Sequence, residues 1–236
     1  MLENIIKFAV TSDVHAPKYL NLFAKSLARI KNIDFFLFGG DMIFKGDIKQ
    51  YDKIIDLIRR RFDCPIIGVF GNEEFDELRE KIKQEYSEIS FLMEESKILK
   101  INGVSIGFIG TTGSLDELTW WQSKNKPENV EIFKNRIKKV DKLFQNLRAN
   151  VRILLSHYAV SYKTMRGETI FAYPQLGSRE YEQIILKYQP KFVFHGHAHR
   201  GLSHVTLRKT IIFNVAMPLL KKIKVINLKT KMKNTK

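Results

Sequence analysis

Cysteine is almost missing: Cys64 is the single thiol in 236 residues, so no internal disulfide can form and no Cys-pair zinc site can be built. Its position before Pro65, at the start of an apolar run, reads as an inert core thiol. Long apolar stretches are missing too. The longest, such as Phe35–Phe38 and Ile66–Phe70, fall far short of the roughly 20 residues that cross a bilayer, so no membrane partner is expected. The first apolar run is broken by Lys7 and followed at once by Thr11-Ser12-Asp13, without the longer apolar region and small-residue cleavage site of a secretory signal. Cytoplasmic residence is expected by default. No internal repeat is evident.

What remains is enough for a substantial core, since 44% of the residues are hydrophobic and 28% charged, a balance foreign to disordered chains. The length fits one domain, here residues 1–228, with an insertion or lid at about 111–147 and a basic tail at 229–236. The formal charge is +15, which favours anionic partners. The excess is uneven: the last sixteen residues hold seven lysines and no acid. A solvating tail and a phosphate-binding tail both fit that pattern.

Short apolar runs alternate with amphipathic ones, the pattern of α/β sheets covered by helices. Strands are predicted at Ile5–Val10, Phe35–Phe38 and Ile66–Phe70, and helices at Tyr19–Ile30, Ile48–Arg61 and Phe75–Gln84. Asn102-Gly103 between Ser96–Ile101 and Val104–Ile109 predicts a hairpin. A charged helix follows from Pro127 to Leu147, with proline at an N1-like position. Strands return at Val151–Leu155 and Lys191–Phe194, with a helix Arg179–Tyr188 between them. Val205–Leu207, Ile211–Asn214 and Ile223–Leu228 read as short strands of a second sheet.

The polar residues are placed by these strands. Thr11–His15, Gly39-Gly40-Asp41, Gly71–Glu74, Ser156-His157 and His195–His199 each follow a strand, where open α/β sheets hold their ligands. Five of the six histidines (15, 157, 195, 197 and 199) fall there, with Asp13, Asp41 and Asn72. Imidazole, carboxylate and amide oxygen without thiolate suit manganese, iron, zinc or nickel better than Cu(I) or an iron–sulfur cluster. In extended backbone, residues two apart point the same way, so Asp13 with His15, and His197 with His199, can each aim two donors into one cleft. Gly39, Gly40, Gly71 and Gly196 let the backbone turn tightly beside a ligand.

This ordered set, Asp-x-His, Gly-Asp, Gly-Asn-x-(Asp/Glu), a lone His and Gly-His-x-His, resembles the calcineurin-like metallophosphoesterase superfamily over about residues 5 to 225, in the style of its small prokaryotic members. The resemblance implies a four-layer αββα sandwich of two mixed β-sheets flanked by helices. It implies two divalent metal ions, with Asp13, His15 and His199 on one, Asn72, His157 and His197 on the other, and Asp41 bridging them through its two oxygens. The implied reaction is metal-dependent hydrolysis of phosphate esters, phosphodiesters foremost, by in-line attack of a hydroxide that the two metals activate.

The sequence departs from the pattern at Glu73, where the family usually has a histidine. A carboxylate beside cations is a poor proton donor near pH 7. Glu73 therefore pairs with a cation such as Arg200 or Arg166, or the substrate's leaving group needs little protonation, or Glu73 caps the helix from Phe75. Asp41, Glu73 and Arg200 are the candidate catalytic residues; Arg200 could clamp a phosphate oxygen. His195 reads as strand-end packing and His204 as surface. Tyr158, Tyr162 and Arg166 follow His157 on a loop that could line the cleft. Trp120-Trp121 reads as an anchor onto the body or a dimer contact ahead of a substrate lid. The expected partner is a small phosphate ester; a nuclease on DNA or RNA, a weakly catalytic protein-binding scaffold of the same fold, and a homo-oligomer stay open.

Overall fold

The computed structural model describes residues 3–231. Strands β1 (Glu3–Thr11), β2 (Phe35–Gly39), β3 (Ile66–Val69) and β4 (Ile89–Phe91) lie parallel in one sheet. A second sheet holds β5 (Glu95–Ile101), β6 (Val104–Thr111), β7 (Val151–Ser156), β8 (Phe192–His195), β9 (His204–Leu207) and β10 (Thr210–Asn214) in the order β5-β6-β7-β8-β10-β9. Its outer pairs β5–β6 and β9–β10 are antiparallel and its centre is parallel. The last strand, β11 (Lys224–Lys231), pairs antiparallel with β1 at the edge of the first sheet.

The predicted second-sheet strand at Ile223–Leu228 thus belongs to the first sheet. Alternation announces a strand but not its neighbour. Residues 229–231 continue it, and residues 232–236 of the proposed basic tail lie outside the described part of the chain.

β2 is buried at every position, which is why it reads as a continuous apolar run rather than an alternating one. Ile6, Phe8 and Val10 of β1 point between the sheets with Phe35, Leu37, Ile67 and Val69, and meet Ile106, Phe108, Ile153, Leu155 and Phe194 from the second sheet. Phe8 stacks on Phe35 at 4.5 Å, and Phe35 meets Phe108 edge-on at 5.3 Å. Each such ring contributes roughly 1.5–3 kcal/mol by leaving water.

The intervening residues Phe36 and Phe38 face α1 (Leu20–Leu27) and α2 (Gln50–Arg59) through Phe23, Tyr51, Ile54 and Ile58. A short helix, α3 (Arg79–Glu85), follows a 3-10 turn at Asp76–Leu78. On the far side Leu154, Val193 and Ile212 pack under α5 (Asn129–Asn146) and α6 (Glu180–Tyr188) through Val140, Phe144, Tyr181 and Ile185. The result is two mixed sheets sandwiched between helices, as the resemblance implied.

The segment 111–147 contains α4 (Trp120–Asn125), whose start is fixed by a capping box between Thr119 and Gln122, and then α5. Pro127 stands just before the N-cap residue Glu128 rather than at N1. A final turn, α7 (Met217–Leu220), precedes β11. No described helix is long and apolar enough to cross a membrane.

Candidate metal centre

The loops leaving β1, β2, β3, β7 and β8 are stitched into one edge of the sandwich. The Asp13 N–H donates to Gly40 O at 3.0 Å, His15 N–H to Asp41 O at 2.9 Å and Gly196 N–H to His157 O at 3.0 Å. Asp13, His15, Asp41 and His197 all have positive φ, at 54°, 42°, 50° and 65°. The pairing of Asp13 with His15 therefore arises from left-handed turns, not from the extended spacing read from sequence. Such conformations cost on the order of 1–2 kcal/mol each for non-glycine residues and persist where the surroundings hold them.

Two glycines matter for closeness. A Cβ on Gly71 would sit 2.1 Å from Asp41 Oδ1, and one on Gly196 would sit 2.2 Å from Asp13 Oδ2.

Two groups of ligand atoms result. Asp13, His15 and His199 form one, and Asp41, His157 and His197 the other, with the atoms in each group within 4.8 Å of one another. Asn72 joins the second, its Oδ1 lying 3.1 Å from His157 Nε2. Asp41 Oδ2 is 3.9 Å from His15 Nε2 and 3.5 Å from His157 Nε2, so it faces both groups. Its other oxygen accepts the Glu73 N–H at 2.7 Å. One oxygen, not two, lies between the groups.

The electrostatics call for cations. Among the described residues no lysine or arginine forms an ion pair with Asp13, Asp41 or Glu74. Burial, with Glu74 and Asp13 nearby, pushes the Asp41 carboxyl well above its ordinary range. Burial would also raise Asp13, but hydrogen bonds from His199 and Ser12 and the proximity of His157 outweigh it and hold that carboxyl low. Burial, reinforced by neighbouring imidazoles, lowers His15 to about 4 and pulls His157 and His197 down as well. The rings are thus neutral, the state that ligates metal. His157 Nδ1 faces Gly39 O at 3.0 Å; donation there leaves the Nε2 lone pair directed at the centre. Buried carboxylates, neutral imidazoles and an amide oxygen, with no thiolate, fit divalent metals of the manganese-to-zinc series.

Glu74, which sequence reasoning passed over, organises this edge. Its fully buried carboxylate accepts N–H bonds from Asp41 (2.8 Å), Met42 (2.8 Å), Ile43 (3.3 Å) and Gly71 (2.7 Å), and the Tyr51 hydroxyl at 3.1 Å. Arg79 donates to Glu74 O and Gly71 O, both at 3.0 Å, clamping the same loop. The available signal was the acidic position closing the Gly71–Glu74 motif.

Glu73 accepts the Lys45 N–H at 2.7 Å. It pairs with neither Arg200 nor Arg166, and it caps another loop rather than the helix beyond Phe75. Arg200 has an exposed side chain and donates its backbone N–H to Glu168; among the described residues its guanidinium makes no ion pair with the carboxylates of the centre. His195 is buried against Gly196 O and Thr164 Oγ1, a packing role, with burial lowering it to about 4. His204 is exposed.

A cavity of about 610 Å³ opens beside Asn72, Glu73 and His197. Tyr158, buried against His197 with ring centres 4.8 Å apart, forms part of its wall. Tyr162 instead hydrogen-bonds Asp116 at 2.8 Å, and Arg166 is exposed. Trp121 lines this cavity while 54% exposed, and Trp120 is 73% exposed. Neither indole is anchored onto the body, and the first of the weighed roles for this pair is corrected accordingly.

Residues 6–201 match the calcineurin-like phosphoesterases, and the chain belongs to that family. Solved structures share the fold at low identity. Phosphopantetheinyl hydrolase from Mycobacterium tuberculosis superposes with a TM-score of 0.65 at 12% identity, covering 89% of this chain and 88% of that one. The protein TT1561 from Thermus thermophilus gives 0.59 at 16%, covering 95% and 99%. A putative 5'-nucleotidase from Staphylococcus aureus gives 0.58 at 17%, covering 89% of this chain and 48% of that one. No curated protein matches the chain in sequence.

Proposed function

We propose that this chain is a binuclear metal-dependent phosphoesterase acting by in-line hydrolysis, with phosphodiesters as its foremost substrates. The observation that carries the reading is the position of Asp41 Oδ2 between His15 Nε2 and His157 Nε2, a bridging carboxylate between two ligand sets. Asp13, His15 and His199 would hold one cation, and Asn72, His157 and His197 the other. Bound there, divalent ions would neutralise phosphoryl oxygens and lower the pKa of a coordinated water toward neutrality. The solved relatives named as a hydrolase and a nucleotidase are consistent with ester hydrolysis.

The chain's own residues divide the remaining work. Ser12 Oγ, 2.5 Å from Asp13 Oδ2, and the His197 N–H, at 3.0 Å, orient the Asp13 carboxylate. Glu73 Oε2 accepts the Lys45 N–H at 2.7 Å, and Glu73 stands where the family usually has a histidine; the reading therefore favours substrates whose alcohol departs without help from that position.

The test is reconstitution with manganese, zinc, iron or nickel and assay on a bis-aryl phosphodiester, an aryl monoester, a cyclic nucleotide and single-stranded DNA. Activity should need metal and fall by about 100-fold or more in Asp41→Asn and His157→Ala. Metal-independent turnover, or unchanged variants, would overturn the reading.

A nuclease is a second reading, favoured by one observation. A groove of about 560 Å³ between α1 and β11 is lined by Lys7, Lys25, Arg29, Lys31, Lys221 and Lys222, none in an ion pair among the described residues. Nucleic-acid binding there would weaken steeply with salt; a flat salt curve removes this alternative.

A further inference from the structure

The cavity beside the metal centre has a selective lining. Asn72 and His197 contribute to it, so a phosphate at the centre would project its organic group into the remaining space. About 610 Å³ suffices for a group of nucleoside size. One wall comes from the body, through Phe75, and the other from the insertion, through Trp121 and Phe133. Phe75 is 39% and Trp121 54% exposed. An exposed indole on a concave wall offers a flat apolar face that a planar ring can cover.

Charge narrows the choice further. Each cation in the lining is in an ion pair: Lys126 Nζ (3.0 Å) and Arg79 Nη1 (2.8 Å) share the Asp76 carboxylate, and Arg136 Nε lies 3.5 Å from Glu94. Glu73 and Glu77, by contrast, face the cavity without an ion-pair partner among the described residues. A second phosphate would meet carboxylates and no free cation. Gln122 and Asn129 add neutral amide groups suited to ring edges or hydroxyls.

Resting on the phosphoesterase reading, we propose that this cavity selects esters with a single phosphate whose organic group carries a flat, uncharged ring of nucleoside size, stacked on Trp121.

The chain has two tryptophans, which makes the stacking directly readable. With Trp120→Phe, Trp121 is the sole indole, and thymidine 5′-monophosphate should quench its fluorescence saturably while methyl phosphate does not. With Trp121→Phe, the quench should vanish. Loss of the quench in the first protein, or an equal quench in both, overturns the proposal.

In kinetics, Trp121→Ala should lower kcat/KM on the order of 5- to 100-fold for thymidine 5′-monophosphate or its methyl ester. The loss on methyl or dimethyl phosphate should be far smaller, and Trp120→Ala should match the parent protein. Equal losses on ring-bearing and ringless esters would mark Trp121 as structural only and overturn the proposal. If the metal-loaded parent hydrolyses none of these esters, the phosphoesterase reading falls, and the quench alone decides whether the ring site exists.

Discussion

Five donors converge on the Glu74 carboxylate, four of them backbone N–H groups of the loops that carry Asp41 and Asn72. Glu74→Ala would leave several of these buried and unpaired, at about 1–3 kcal/mol each. Urea unfolding should show a loss of about 3 kcal/mol or more, with lower manganese stoichiometry; an unchanged midpoint would remove Glu74 from this role. Tyr51→Phe deletes one donor and should cost only about 1 kcal/mol. Gly196→Ala places its methyl carbon against Asp13 Oδ2 and should release metal, as read by elemental analysis after gel filtration. Cys64 is the opposite case. Burial pushes its thiol up to about 11, and a raised pKa means less thiolate at any lower pH, so reaction with an aromatic disulfide near pH 8 should be slow until urea exposes it.

At the scale of elements, α4 holds the proposed ring-binding wall in place through its capping box. Thr119 Oγ1 accepts the Gln122 N–H at 3.2 Å and Gln122 Oε1 accepts the Thr119 N–H at 3.0 Å. Thr119→Ala should destabilise this helix locally by about 1 kcal/mol, seen as faster amide exchange in 120–125 without a change in global unfolding. A matching global loss would contradict a locally fraying wall.

The central strands β1, β2, β3, β7 and β8 could be read from sequence because interior strands are continuous apolar runs ending in polar loops. The three residues of β4, the six of α4 and the four of α7 are too short to show a period, and their form comes from packing. The six side chains that gather into two groups, and Asn72 beside them, were legible because each comes within a few residues of such a strand's end. The role of Glu74 was not, since a loop carboxylate looks the same whether it is solvated or enclosed by N–H groups. Nor was that of Trp121, because sequence does not reveal which concavity a helix overlooks.

On the scale of the whole molecule, β1 lies between β2 and the last strand, β11. Its register with β11 runs from Glu3↔Lys231 to Val10↔Lys224. Cutting the chain after Ile223 would strip one side of β1, remove Ile226 and Leu228 from the inter-sheet core, and expose a hydrogen-bonding edge that invites association. Light scattering and circular dichroism of that truncation should report aggregation rather than a native monomer.

The same wiring sets a schedule for biosynthesis. Asp13 and His199 stand 186 positions apart in the chain yet meet at 3.0 Å, so a nascent chain that stops between them lacks part of the proposed cation pocket. Stalled ribosomal complexes ending before His195 should retain no more manganese than an unrelated nascent chain.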